Sequence, residues 1–303
     1  MPHIPVLLEE TITAFKGIKE GVFVDCTLGY AGHSSEILKR YPKLQLIGID
    51  RDDEALAFSK ERLSSFAHRV ELKKGSFSEV IQTIDFSKVT GLLADFGVSS
   101  LQLDKLERGF SFYSSTLDMR MDQSSPFSAK ELINSYSLEE LSRLFREFGE
   151  IKEAKKLASA IIKQRAIKPI KSSLELAELI SKVIKKKGKT HPATQAFQAI
   201  RMEVNKELSE ISKLLDTLET KRPKGAIIAL ITFHSLEDRL IKQRFRKWSK
   251  KCICPNGIMR CECGNNNNLG VELNKKPITA SKEELATNPR SRSAKLRVFQ
   301  FKE

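Results

Sequence analysis

The stretch that decides the fold is Val22-Phe-Val-Asp-Cys-Thr-Leu-Gly-Tyr-Ala-Gly-His33. β-Branched and aromatic residues run into an acid, Asp25, and a loop of small residues then opens onto a helix predicted over 34–40. Gly29 and Gly32 let a ligand approach the backbone, and the helix start offers unpaired N–H groups. A second strand-like run, 44–49, leads into Asp50. This acid follows Gly29 by twenty-one residues, about where a nucleoside-binding βαβ unit places its ribose-binding carboxylate. The loop departs from the dinucleotide pattern. It reads G-x-A-G with an acid four residues ahead of its first glycine, and nothing in it is arranged to hold a pyrophosphate. A nucleoside without that group, such as S-adenosylmethionine, fits better. On this unit alone the alternative is an α/β loop that binds nothing.

Outward from this stretch the pattern repeats. The spacing predicts an amphipathic helix over 53–67, a third strand over 70–73 leading to Gly75-Ser-Phe77, and a fourth strand over 90–95, apolar throughout as a buried parallel strand should be. Such alternation predicts a doubly wound α/β domain, whose ligands sit at the carboxyl ends of the strands. By that rule Gly29 to His33, Asp50, Phe77 and Asp95 face one crevice.

Between Gly97 and about Glu219 the alternation stops. A loop-like stretch over 99–121 is followed by helices predicted over 128–136, 137–148, 151–166, 173–187 and 193–218, which reads as an inserted helical domain. Its run Lys185-Lys-Lys-Gly-Lys189 is either a solvated turn or a phosphate contact. The sheet resumes with a long apolar strand over 225–233, and His234-Ser235 begins a helix over 236–250. Arg239, Lys242, Arg244, Arg246, Lys247, Lys250 and Lys251, carried by that helix, suit backbone phosphates, while Phe245 and Trp248, three apart on one face, read as core anchors. The segment 288–301 ends as a strand, expected antiparallel at the edge of the sheet.

The 303 residues are 40% apolar, ample for a packed core. No apolar run approaches the roughly 18 residues a membrane helix needs, and the N-terminus lacks a basic lead and a cleavage site, so a cytoplasmic protein is expected. Fifty-two basic against thirty-eight acidic residues leave a net charge of +14, which favours a polyanionic partner, RNA or DNA first, over an acidic small substrate; a basic but solvated surface is the equal alternative. Four of the five cysteines crowd between Cys252 and Cys263, which argues against a disulfide framework. Cys252-x-Cys254 and Cys261-x-Cys263 bracket a turn at Pro255-Asn-Gly257, so four thiolates could meet around a tetrahedral structural zinc; reduced thiols in a surface hairpin are the alternative.

Ten motifs in order carry a resemblance that runs nearly end to end. They are His3-x-Pro-Val-Leu-Leu-x-Glu9, Asp25-x-Thr-x-Gly-x-Ala-Gly-His33, Asp50-Arg-Asp52, Asp95-Phe-Gly-Val-Ser-Ser100, Gln102-Leu-Asp104, Arg108-Gly-Phe-Ser-Phe112, Leu117-Asp-Met-Arg-Met-Asp122, His191-Pro-Ala-Thr194, Phe233-His-Ser-Leu-Glu-Asp-Arg239 and Asn288-Pro-Arg-x-Arg292. The chain resembles the ribosomal RNA small subunit cytosine-N4 methyltransferase H (MraW) family. The resemblance implies a class I, Rossmann-like methyltransferase sheet over 1–104 and 220–303, with an all-helical substrate-recognition insertion over 105–219. It implies S-adenosylmethionine as methyl donor, and as substrate the exocyclic N4 of a decoding-centre cytosine of 16S rRNA in the small ribosomal subunit. Matched motif by motif, it places cofactor contacts on Ala31, Gly32, His33, Asp50, Phe77, Asp95 and Gln102.

The family usually has Gly-Gly-His where this chain has Ala31-Gly-His, and an alanine methyl is expected to fit only at negative φ. The cysteine pairs occur in only part of the family, so no essential catalytic metal is expected. For the chemistry, Asp95 is expected at the reacting amine or at the donor's amino group, and Phe96 is expected to stack on the flipped base. Asp118, Asp122 and His234 are the other candidates for the base. A homodimer is left open. Two rivals stand beside this reading. A nicotinamide-dependent oxidoreductase is disfavoured by the glycine loop, and a non-enzymatic, zinc-stapled RNA-binding module would leave Asp25, Asp50 and Asp95 without a purpose.

Overall fold

The computed structural model describes residues 4–185, 188, 190–255 and 260–303. His3, Lys186, Lys187 and Lys189 of the lysine run, and the Asn256-Gly257 turn therefore lie outside the described residues. In chain order the elements begin with α1 (Leu8–Ala14), β1 (Gly21–Asp25), α2 (Gly32–Arg40), β2 (Leu44–Asp50), α3 (Asp53–Arg62), β3 (Val70–Lys74), α4 (Phe77–Val80) and β4 (Val89–Asp95). Six helices follow: α5 (Ser100–Asp104), α6 (Ala129–Ser135), α7 (Leu138–Glu147), α8 (Ala154–Ile167), α9 (Ser173–Val183) and α10 (Thr194–Val204). The chain closes with α11 (Glu207–Lys221), β5 (Ile227–Thr232), α12 (Ser235–Trp248), β6 (Gly270–Glu272), α13 (Lys282–Thr287) and β7 (Lys295–Phe301).

Two compact units emerge, one formed by Met1–Gly97 with Leu208–Glu303 and the other by Val98–Glu207. The first contains a seven-stranded sheet in the order β3-β2-β1-β4-β5-β7-β6. Strands β1 to β5 run parallel, and β7 is antiparallel to both β5 and β6. The order reverses at β1, the switch point at which an open α/β sheet binds its ligands. Both faces are covered, so the strands bury alternate residues in opposite directions. Val22, Val24, Leu92 and Ala94 pack with Leu214, Leu218, Phe245 and Trp248 on one side, and Phe23, Leu46 and Leu93 pack with Phe15, Ile37 and Leu38 on the other. Phe245 and Trp248 are 1% exposed and are the core anchors their spacing suggests.

β7 is not the edge strand expected from its position in the chain, because β6 lies outside it. Three residues are too few to show a period of two. Gly270 is needed there because a β-carbon would collide with the Gln300 carbonyl across the pair.

The second unit is built of helices around its own core, with Leu141, Phe145, Leu157, Ile161, Ile180 and Ile200 fully buried. The helix expected over 193–218 is two helices. They part at Asn205-Lys206, where Lys206 takes φ +55. The later piece, α11, lays Leu214, Leu215 and Leu218 into the core of the sheet, so the units divide near 207 rather than 219. At the other end Val98 and Leu103 pack into the helical core, which moves that division from 104 to 97. Within the stretch expected to be loop, α5 forms, and Arg108 is buried with its guanidinium donating to the carbonyls of Arg120 and Met121 at 3.1 and 3.0 Å. Among the described residues no helix is long and apolar enough to cross a membrane.

Candidate active site

The three neighbouring parallel strands β2, β1 and β4 each end on an aspartate: Asp50, Asp25 and Asp95. All three carboxyls sit above their ordinary range, with burial as the leading cause. Asp25 is pushed up to about 6, against hydrogen bonds from the Ser34 hydroxyl (2.6 Å) and the Thr27 N–H (3.1 Å), and Asp50 adds to the rise. Asp50 is raised by burial although two amides donate to it, Gly29 N–H at 2.8 Å and Asp52 N–H at 2.9 Å. Asp95 is raised well above its usual value, by burial and then by the charges of Asp25 and Glu237. Its Oδ1 is buried with no hydrogen-bond partner among the described residues.

A buried acid facing like charges and carrying an unpartnered oxygen either keeps its proton or meets a cation. The rim of this sheet is thus a cradle for a positively charged ligand in a chain whose net charge is +14. A pyrophosphate would be repelled there. S-Adenosylmethionine brings a sulfonium and an ammonium, and the residues fit it.

The loop after β1 is shaped around this rim. Gly29 takes φ +51, which presents its N–H to Asp50, and Ser59 donates to the Gly29 carbonyl at 2.6 Å. Ala31 is the N-cap of α2 at φ +53 and is fully buried, so the expectation of a negative φ is overturned: the methyl is carried at a left-handed position that glycine would occupy without strain. Gly32 has no room for a β-carbon because Pro5 lies against it, and His33 holds the Val6 carbonyl at 2.9 Å through Nε2. The N-terminal segment is therefore strapped over the loop. Its other fastenings come from the far end of the chain, where Glu284 accepts the Leu7 N–H at 2.8 Å and Asn288 donates to the Ile4 carbonyl at 3.1 Å. Neither fastening has a local sequence signal, although both ends appear among the ten motifs or beside them.

Phe77 begins the short helix α4 instead of closing a strand, and its ring meets Phe96 with centroids 5.7 Å apart. Phe96 is 3% exposed and belongs to the sheet core, so the expected stacking on a flipped base is not open to it in this conformation. His234 caps α12, its Nδ1 accepting the Glu237 N–H in a capping box, and its Nε2 lies 3.0 Å from the Glu237 carboxylate. Gln102 belongs to the helical unit, where its side-chain oxygen accepts the Ser99 N–H at 3.0 Å. Asp118 is bound by Arg120 at 2.6 Å, and Asp122 accepts from Ser124 at 2.6 Å; both hold the loop that their motif forms.

Strand order, an acidic rim at the switch point and a glycine loop without a phosphate cradle define a class I S-adenosylmethionine-dependent methyltransferase. The model of the MraW methylase family matches residues 1–302. Ribosomal RNA small subunit methyltransferase H of a Sulfurovum species is 62% identical over 301 residues, covering 99% of this chain and 98% of the relative. The protein of the same name from a Nitratiruptor species is 56% identical over 303 residues, covering 100% and 99%. This chain belongs to the MraW methylase family. A solved rRNA methylase from Streptococcus thermophilus overlays on it with a TM-score of 0.40 at 11% identity, covering 100% of this chain and 99% of that one, and the fold reading rests on the strand order instead.

Proposed function

We propose that this chain transfers a methyl group from S-adenosylmethionine to the exocyclic N4 of a cytosine in the decoding centre of 16S rRNA, within the small ribosomal subunit. The observation that carries the reading is the buried aspartate row at the strand ends, with the unpartnered oxygen of Asp95. The names of the relatives support the RNA as substrate, and the charge of +14 suits a polyanion.

The donor, when bound, supplies an electrophilic methyl on a sulfonium. Asp50 keeps a free lone pair on each oxygen beyond its two amide bonds, enough to accept the ribose hydroxyls. Gly29, Ala31, Gly32 and His33 form the floor, Phe77 offers an apolar wall, and Asp95 accepts an N–H from the donor's ammonium. On its motif match we also assign Gln102 to the cofactor contacts, and we assign the helical unit to substrate recognition. The cytosine amine is a weak nucleophile because its lone pair is shared with the ring, so the residues around it must hold it in line and take up a proton after transfer.

The test is nucleoside mass spectrometry on unmodified small subunits incubated with the protein and labelled S-adenosylmethionine. Labelled N4-methylcytidine is expected. Label in another nucleoside would move the target while keeping the enzyme class, and no label on subunits or free RNA would refute the proposal.

A further inference from the structure

The four cysteines that follow α12 are gathered at one point. The Sγ atoms of Cys252, Cys254, Cys261 and Cys263 all lie within 4.8 Å of one another. Three of the separations are 3.7 Å (Cys252–Cys261), 3.7 Å (Cys252–Cys263) and 3.5 Å (Cys261–Cys263). A tetrahedron of thiolates about 2.3 Å from a central zinc has edges of about 3.8 Å. Disulfide sulfurs sit at about 2.0 Å, so the cluster has the spacing of a coordination shell and not of cross-links. We propose that these four cysteines bind one zinc ion as a structural site.

One further feature agrees. Backbone N–H groups are already aimed at the sulfurs, Ile253 at Cys263 (3.3 Å) and Glu262 at Cys254 (3.4 Å), the kind of outer hydrogen bond that orients thiolate ligands. Four thiols this close cannot all ionise without a cation between them, and zinc supplies it while displacing the remaining protons.

The site has a structural task. It closes the excursion between α12 and β6, whose ends are also joined by the Leu269 N–H on the Trp248 carbonyl at 2.7 Å. Asn267 spans the same gap, donating to the carbonyls of Lys251 (3.2 Å) and Cys263 (2.9 Å). Metal would fix these fastenings and keep Lys250, Lys251 and Arg260 on an ordered surface. The proposal does not depend on the methyl-transfer reading.

The experiment is metal analysis of the full-length chain purified under reducing conditions without chelators. One zinc per chain is expected by plasma mass spectrometry, falling at least tenfold in Cys252→Ser/Cys261→Ser. Cobalt exchanged into the wild-type chain should show the thiolate charge-transfer and d–d absorption of a tetrahedral sulfur site, a readout that needs no variant to fold. Wild-type protein without zinc and without that spectrum would overturn the proposal. So would zinc unchanged in the double variant, or an intact mass showing the cysteines paired as disulfides.

Discussion

The strand ends and the exposed side of α12 are both crowded with charge, and they differ in what each charge faces. On α12, Arg244 reaches Asp216 at 2.6 Å and Glu219 at 2.8 Å, and Lys247 reaches Glu219 at 2.6 Å. Against its partial burial, Lys247 and Arg244 hold the Glu219 carboxyl down to about 2. At the strand ends Asp25, Asp50 and Asp95 are buried beside one another and all three are raised. Satisfied charge of the first kind serves stability. Charge kept where it is unfavourable serves a ligand, and a sheet that needed only to fold would have ended those strands on apolar residues.

The largest expected effect falls on Asp95. Asp95→Asn should lower kcat/KM for methyl transfer by about 100-fold, equivalent to about 2.7 kcal/mol, because the charge facing the cationic donor is gone. The same substitution should leave the melting temperature of the ligand-free protein unchanged or raised, since it removes a buried carboxyl whose Oδ1 has no partner among the described residues. Wild-type turnover with Asp95→Asn would erase the contrast between the two regions.

A pH effect comes next. Asp25 rises from its ordinary 3.8 to about 6, so between these values the folded chain holds a proton that the unfolded chain has lost. Stability from this group is therefore full near pH 4, declines as pH rises through 6 and is flat above, a loss of up to about 3 kcal/mol. Chemical denaturation across pH 4 to 7 should show this fall, and Asp25→Asn should flatten part of it.

Smaller effects sharpen the other side of the comparison. Arg244→Ala should cost about 1 kcal/mol of stability and leave RNA affinity nearly unchanged, because its charge is already spent on Asp216 and Glu219. Arg246 and Lys250 are exposed on the same helix and its end. Their alanine variants should melt normally while weakening RNA binding, each reducing the salt dependence by about one counterion. The smallest change is Ala31→Gly: relief of the left-handed backbone, less the flexibility glycine adds to the unfolded chain, should stabilise by about 0.5 kcal/mol in a thermal melt.

The strands and the acids that end them were legible because apolar alternation and a terminal aspartate are local signals. Gly29, Asp50 and Asp95 meet at one rim for that reason. What escaped is set by distant or very short pieces. Lys206 breaks a helix without glycine or proline to announce it, because α11 is drawn to the sheet by Leu214, Leu215 and Leu218. β6 is too short to have a pattern. Phe96 follows the motif aspartate directly, yet the alternation of β4 turns its ring into the core, which inspection of the motif alone does not reveal. The strap over Gly32 and His33 depends on Glu284 and Asn288, nearly the whole chain away.

The central claim is that the raised carboxyl of Asp95 receives the cationic donor. It is tested most directly by calorimetric titration of the wild-type chain and Asp95→Asn with S-adenosylmethionine at neutral pH, in two buffers of different ionisation enthalpy. The account predicts that wild-type binding releases protons, seen as a buffer-dependent heat, and that Asp95→Asn binds at least about tenfold more weakly with less release. Equal affinity of the two proteins, with heats that do not depend on the buffer, would contradict it.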